Sequence, residues 1–235
     1  MTHTLDAPRA APGAVDSRTT RIGAGLGIAS IVLVATGFAV AAATEATIAS
    51  AEADVAAFYT GAGLARTLTG GIVEVLGLLL FLPFAAMLTG RVAAAGVSGD
   101  LLAPTARMAA TVYVTICLAP GMSAGAAAVW LAHHGTTDPS VLTALNDLRA
   151  LSYFVALVAF ALFVVTVGLA CLTSGRLPRW AGWWAVANGV AIVASLPFAA
   201  ADLTDLFGLI GLLWVVAVAV ALLRNPVVPR SATLG

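Results

Sequence analysis

Six stretches of mostly apolar residues, 22–44, 69–90, 108–131, 150–173, 181–201 and 203–223, run through this chain. A helix rises about 1.5 Å per residue, so about twenty apolar residues cross the ~30 Å hydrocarbon core of a bilayer. Inside lipid no water meets the backbone N–H and C=O groups, and a single segment satisfies them all only as a helix. The expected fold class is therefore all-α, an integral membrane bundle of six transmembrane helices. Composition points the same way. Of the 235 residues 61% are hydrophobic and 9% are charged, where a soluble domain carries roughly 25% charged residues; so few charges do not cover a water-facing surface. The first stretch exceeds the roughly 7–15 apolar residues of a signal peptide and is read as a retained span.

Arginine placement orients the bundle. All 11 basic residues are arginines. Arg9, Arg18 and Arg21 precede the first stretch, Arg91 and Arg107 flank the second connection, Arg176 and Arg179 lie in the fourth, and Arg224 and Arg230 follow the last. Only Arg66 and Arg149 fall on the other side, which holds Glu45, Glu52, Asp54, Asp138, Asp147, Asp202 and Asp205. Cytoplasmic loops carry the excess of Lys and Arg, so both termini are expected in the cytoplasm and the location at the plasma membrane. The expected organisation is a disordered cytoplasmic tail over 1–21, a six-helix transmembrane domain over 22–224 and a second cytoplasmic tail over 225–235. Trp180, Trp183 and Trp184 fall at the inner boundary and Trp130 at the outer one, where aromatic belts form. Trp214 is mid-span and reads as a packing residue.

The longest connection, 45–68, places Ile48, Val55, Phe58 and Tyr59 at helical spacing. This predicts a short amphipathic helix on the outer membrane face, broken at Gly61-Ala62-Gly63; the alternative is an ordered loop packed over the bundle. Leu82-Pro83-Phe84-Ala85-Ala86 recurs as Leu196-Pro197-Phe198-Ala199-Ala200 in spans of opposite direction, as an inverted repeat would, although the flanks do not align.

Three features together resemble a group of multi-pass membrane proteins of high-GC Gram-positive bacteria catalogued as a domain of unknown function. They are the apolar first span, the Val55-Ala56-Ala57-Phe58-Tyr59 stretch followed by Arg66, and the second span reading Gly70-Gly71-Ile72-Val73-Glu74-Val75-Leu76-Gly77 and then Leu80-Phe81-Leu82. The resemblance covers roughly 20–91 and elsewhere extends only to topology. It implies a membrane location and this architecture, and no activity.

Candidate chemistry is sparse. Gly121-Met122-Ser123-Ala124-Gly125 has the G-x-S-x-G form, but a serine nucleophile needs a neighbouring base, and His3, His133 and His134 all lie outside the spans. Small residues packing helices closely, with Gly121 and Gly125 spaced as GxxxG just after Pro120, explain the motif better; Gly23 and Gly27 read the same way. His133 and His134 are adjacent and point in different directions on a helix, which suits a solvated end better than a metal site. Cys117 and Cys171 read as small apolar residues. No catalytic, cofactor or metal residue is assigned, no nucleic-acid partner is expected, and the bilayer is the implied partner, with a homo-oligomer or another membrane protein left open.

Glu74 is the one acid inside a span, and an intramembrane ionisable group is a functional candidate by default. Arg149 and Arg66 are the outer arginines within reach of it, and either would favour its ionised form while desolvation opposes it. Asn188, a polar residue inside the fifth span, is expected to hydrogen-bond Tyr113 or Thr115 as interhelical glue. Three function classes follow: a non-enzymatic binding, sensing or envelope-organising protein; a small transporter or channel using Glu74, Asn188 and the helix breaks at Pro83, Pro120 and Pro197; and, weakest for want of a base or metal cluster, an intramembrane enzyme. The arginine split makes a direct prediction. In intact cells a membrane-impermeant thiol reagent should modify Asp138→Cys or Ala53→Cys and spare Gly99→Cys or Ser231→Cys, and modification of the latter pair would invert or redraw the topology.

Overall fold

The computed structural model describes residues 16–41, 46, 50–60, 64–94, 96–134, 138–201 and 203–225. Its helices are α1 (Ser17–Ala41), α2 (Glu52–Thr60), α3 (Leu64–Val92), α4 (Ala103–Ile116), α5 (Ser123–His134), α6 (Pro139–Ser174), α7 (Arg179–Ser195) and α8 (Leu203–Arg224). A π-helical turn, Ser98–Leu102, leads into α4, a second one, Cys117–Met122, joins α4 to α5 in one continuous span, and a 3-10 stretch, Leu196–Ala201, prolongs α7. Six of these units are long and apolar enough to cross a membrane. The protein is an all-α, multi-pass membrane protein.

The tightest seam lies between α1 and α3. A Cβ on Gly37 would lie 2.6 Å from the Gly70 carbonyl, and a Cβ on Gly70 would lie 2.6 Å from the Gly37 carbonyl. Further along, Gly27 receives the Phe84 ring, Gly23 receives Met87, and Gly77 lies against the Ser30 carbonyl and Val34. Lipid tails are as apolar as leucine, so helices associate here by van der Waals contact and not by escape from water, and only residues without side chains let the backbones meet. The Gly23 and Gly27 expectation is realised. Gly121 and Gly125 also face a neighbour, α6, but with ordinary clearance: a Cβ would lie 3.8 Å from Ser152 Cβ and 3.4 Å from Arg149 Cδ respectively. Ser123 itself is exposed.

Aromatic rings fill the interior between α3, α4, α6 and α8. Phe81 stands edge-on to Tyr113 and to Phe163, at centroid distances of 5.6 and 5.2 Å, and Phe163 stands edge-on to Trp214. Trp214 is fully buried and its Nε1–H donates to the Ala181 carbonyl at 2.8 Å, tying α8 to the start of α7. Trp130, Trp180 and Trp183 are exposed near helix ends.

The arginines gather at one end. Arg91 is buried in the last turn of α3 and donates through Nη1 to Thr20 Oγ1 and through Nη2 to the Asn225 carbonyl, both at 3.1 Å. Arg176 donates to the Ala93 carbonyl, and the hydroxyls of Ser98 and Thr173 meet. The starts of α1 and α7 and the ends of α3, α6 and α8 therefore meet at the arginine-rich end; Arg9 and Arg230 lie outside the described residues.

Several boundaries differ from the expectation. Helix α1 begins at Ser17, inside the expected tail, because Asp16 caps it: the Thr19 amide donates to Asp16 Oδ1 at 2.6 Å. That bond holds the Asp16 carboxyl below its ordinary range. Residues 1–15 and 226–235, the bulk of both expected tails, lie outside the described residues. Helix α6 begins at Pro139 and not at 150. Asp138 accepts from the Ser140 amide at 3.0 Å and Pro139 takes the first helical position, a start signal that apolarity alone does not register. At 36 residues α6 is about 54 Å long, well beyond the ~30 Å core.

The free end of α6 carries a second core. The amphipathic helix over Val55, Phe58 and Tyr59 is present as α2, but its apolar face does not lie on the membrane. Val55, Phe58 and Tyr59 are buried with Ala46, Ala128 and Leu142, against α5 and α6. Ile48 and the Gly61–Gly63 break lie outside the described residues. The repeated pentapeptide adopts two conformations: Leu82–Ala86 continues α3 as helix, whereas Leu196–Ala200 forms the 3-10 stretch with Phe198 at φ −110°. The two copies are not structural counterparts.

The seam yields a prediction. Gly37→Leu drives a side chain into the α3 backbone, and such overpacking costs about 1–3 kcal/mol. Gly25 has open space at its Cβ position. Thermal unfolding in detergent should show Gly37→Leu melting well below wild type and Gly25→Leu close to it; equal melting temperatures would remove the seam from its place in the fold.

Candidate functional site

Glu74 sits where α3 crosses α1. A Cβ on Gly37 would lie 2.7 Å from the Glu74 amide nitrogen and 3.0 Å from its Cβ. The side chain is half-buried, and the carboxyl is near enough to Tyr113, Cys117 and Tyr153 to act on all three electrostatically. Its backbone amide and Cβ lie on the side of α3 that meets α1.

The wall opposite Glu74 is irregular. Pro120 has no N–H to donate, and the helix widens into the π-turn Cys117–Met122 around it. Met122 reaches Gly71 on α3, its sulfur 4.0 Å from that residue's Cβ position. Tyr153, on α6, is near enough to Asp205 at the start of α8 to interact with it electrostatically. One carboxyl, a tyrosine, a free thiol and a second Tyr–Asp pair thus share the same region of the bundle. A carboxyl beside a π-turn can exchange a proton or hold a cation or a polar ligand group.

Arg149 stands in the second core. Its Nη2 donates to the Ala46 carbonyl at 2.8 Å and to Asn146 Oδ1 at 3.2 Å, and the Tyr59 hydroxyl donates to the same Asn146 oxygen at 3.3 Å. Asn146 is fully buried. This network joins the connection after α1, helix α2 and helix α6. It supplies the local reason for an arginine on the arginine-poor side. Arg66 is exposed in the first turn of α3.

Asn188 does not pair with Tyr113 or Thr115. Tyr113 stands among Phe81 and Phe160, and Thr115 is exposed. Asn188 is buried in α7 against α8, its Nδ2 2.8 Å from where a Cβ on Gly211 would lie. Neither side-chain atom has a hydrogen-bond partner among the described residues.

Sequence reading missed Tyr59, Asn146, Tyr153 and Asp205. Asn146 lies one helical turn before Arg149, and the Asp138–Pro139 start would have put both on one helix. Tyr153 and Asp205 belong to different spans, and no spacing rule connects them. His134 Nδ1 meets the Trp130 carbonyl at 3.1 Å and its ring stacks on Trp130. Among the described residues no three His, Cys, Asp or Glu side chains cluster as metal ligands do. No protein-family model, curated protein or solved structure matches this chain.

An unpaired buried amide costs about 1–3 kcal/mol, and apolar replacement of similar shape relieves that cost. Asn188→Leu should therefore fold normally and melt at or above the wild-type temperature. A melting temperature several degrees lower would show that the amide holds a partner.

Proposed function

We propose that this chain is a non-enzymatic plasma-membrane protein of the binding, sensing or envelope-organising class, with both termini cytoplasmic and the α2 platform outside. The second core supports this reading. Two spans need only a short loop between them, yet here α2 and the projecting end of α6 are ordered by their own apolar cluster and by the Tyr59–Asn146–Arg149 network. Ordering each residue costs about 1–2 kcal/mol of backbone entropy, so a fixed platform beyond the spans fits a surface presented to a partner. The aromatic interior fits a stationary scaffold for it. The arginine-rich end, set against the acid-bearing end, supports the orientation. We also propose kinship with the multi-pass family of high-GC Gram-positive bacteria, because the segments that carry the resemblance, 55–59 and 70–77, build the platform and the α1–α3 seam.

Glu74 within electrostatic reach of Tyr113 and Cys117 favours a second reading, a small proton-coupled transporter. One pair of experiments separates the two. A photo-crosslinking residue at exposed Glu52 or Ala57 on α2 should give discrete protein adducts in living cells, while one at lipid-facing Leu213 should not. In proteoliposomes wild type and Glu74→Gln should show the same proton leak. Proton flux in wild type that Glu74→Gln abolishes without unfolding would establish transport instead.

A further inference from the structure

A trough runs between α3 and α4 at the arginine-rich end. Leu82, Ala85 and Ala86 form one wall and Arg107, Ala110 and Thr111 the other, enclosing about 240 Å³. Each wall follows the i, i+3, i+4 row of its helix, so the residues face each other along one groove. Three of the six are alanines, whose side chains leave the space between the helices unfilled. Ala86 and Thr111 are exposed, so the trough opens on the flank of the bundle that faces lipid.

Arg107 stands at the mouth and is held there. Its Nε–H donates to Thr89 Oγ1 at 2.8 Å, and Thr89, fully buried, donates in turn to the Ala86 carbonyl at 3.1 Å. The Thr89 hydroxyl both accepts and donates, which fixes the plane of the guanidinium. Among the described residues nothing bonds its two Nη groups. They form a free fork of the geometry that pairs bidentately with a phosphate. From the level of Thr89 the trough reaches seven residues further into the span, to Leu82, about 10 Å. Charge at the mouth and an apolar channel below it complement an amphiphile whose anionic group stays at the interface while its chain enters the membrane.

We propose that this trough is a binding site for one anionic phospholipid, its phosphodiester on the Arg107 fork and an acyl chain along Ala85, Ala86 and Ala110. The surrounding bilayer supplies such a ligand from the side on which the trough opens. Basic pockets between transmembrane helices recognise lipid headgroups in this way. The inference stands on the trough and on Arg107 alone, and does not depend on the function proposed above.

The test is lipid retention by the purified full chain in detergent, read by native mass spectrometry. Dioleoylphosphatidylglycerol and dioleoylphosphatidylcholine share acyl chains and differ in headgroup charge. Wild type should keep phosphatidylglycerol in preference to phosphatidylcholine at a stoichiometry of one. Arg107→Gln should lower that retention about fivefold, the effect of one basic residue near a lipid surface. Ala86→Leu, which fills the trough and leaves the fork intact, should lower it too. Arg179→Gln, at an exposed arginine of the same end, should leave it unchanged. Retention unaffected by Arg107→Gln or by Ala86→Leu would overturn the site, and so would displacement of the lipid by inorganic phosphate, which would mark a free-anion site.

Discussion

The contact of α1 with α3 through Gly37 and Gly70 is the constraint on which the rest of the structure depends. Two helices in lipid gain nothing from hiding apolar surface from water; they gain only from close contact. The reciprocal approach of these backbones sets the register of α3 against α1 along its length. That register places Phe84 and Met87 over Gly27 and Gly23, brings Arg91 within reach of Thr20, and sets Glu74 against Gly37. A side chain at Gly37 or Gly70 would move all three together.

A second regularity runs through the arginines. Arg91, Arg149 and Arg176 donate to the carbonyls of Asn225, Ala46 and Ala93. Asn225 and Ala93 directly follow the ends of α8 and α3, where helix carbonyls have lost their own partners, and Ala46 lies in the connection after α1. A guanidinium is weakly hydrated and has five donors in a rigid fork, which suits it to closing such ends near lipid. Arg107 belongs to the same end but is anchored through Nε to a hydroxyl, so its fork faces outward.

Helix α6 links the two ends. It packs on α4 and α7, adds Phe160 and Phe163 to the aromatic interior, and extends past the spans to hold α2 through Leu142 and Asn146. The intramembrane polar region and the projecting platform therefore share one rigid element, with Tyr153 and Arg149 about one turn apart on it.

The sequence by itself determined the six spans, their alternation and the gathering of arginines at one end, because length and apolarity are demanded residue by residue by the hydrocarbon layer. It also marked Glu74 as an acid well inside a span and Trp214 as a packing residue. The tertiary structure alone decided which neighbours meet. It took α2 off the membrane surface and onto α6, since burial of Val55, Phe58 and Tyr59 has the same sequence pattern whether lipid or protein covers it. It placed Asn188 against Gly211 instead of Tyr113, gave Arg149 the Ala46 carbonyl and Asn146, and separated two identical pentapeptides into a helix and a 3-10 turn. Most of these outcomes rest on contacts between elements distant in the chain, such as Asn188 against Gly211 and Arg149 with the Ala46 carbonyl, which leave no periodicity in the sequence.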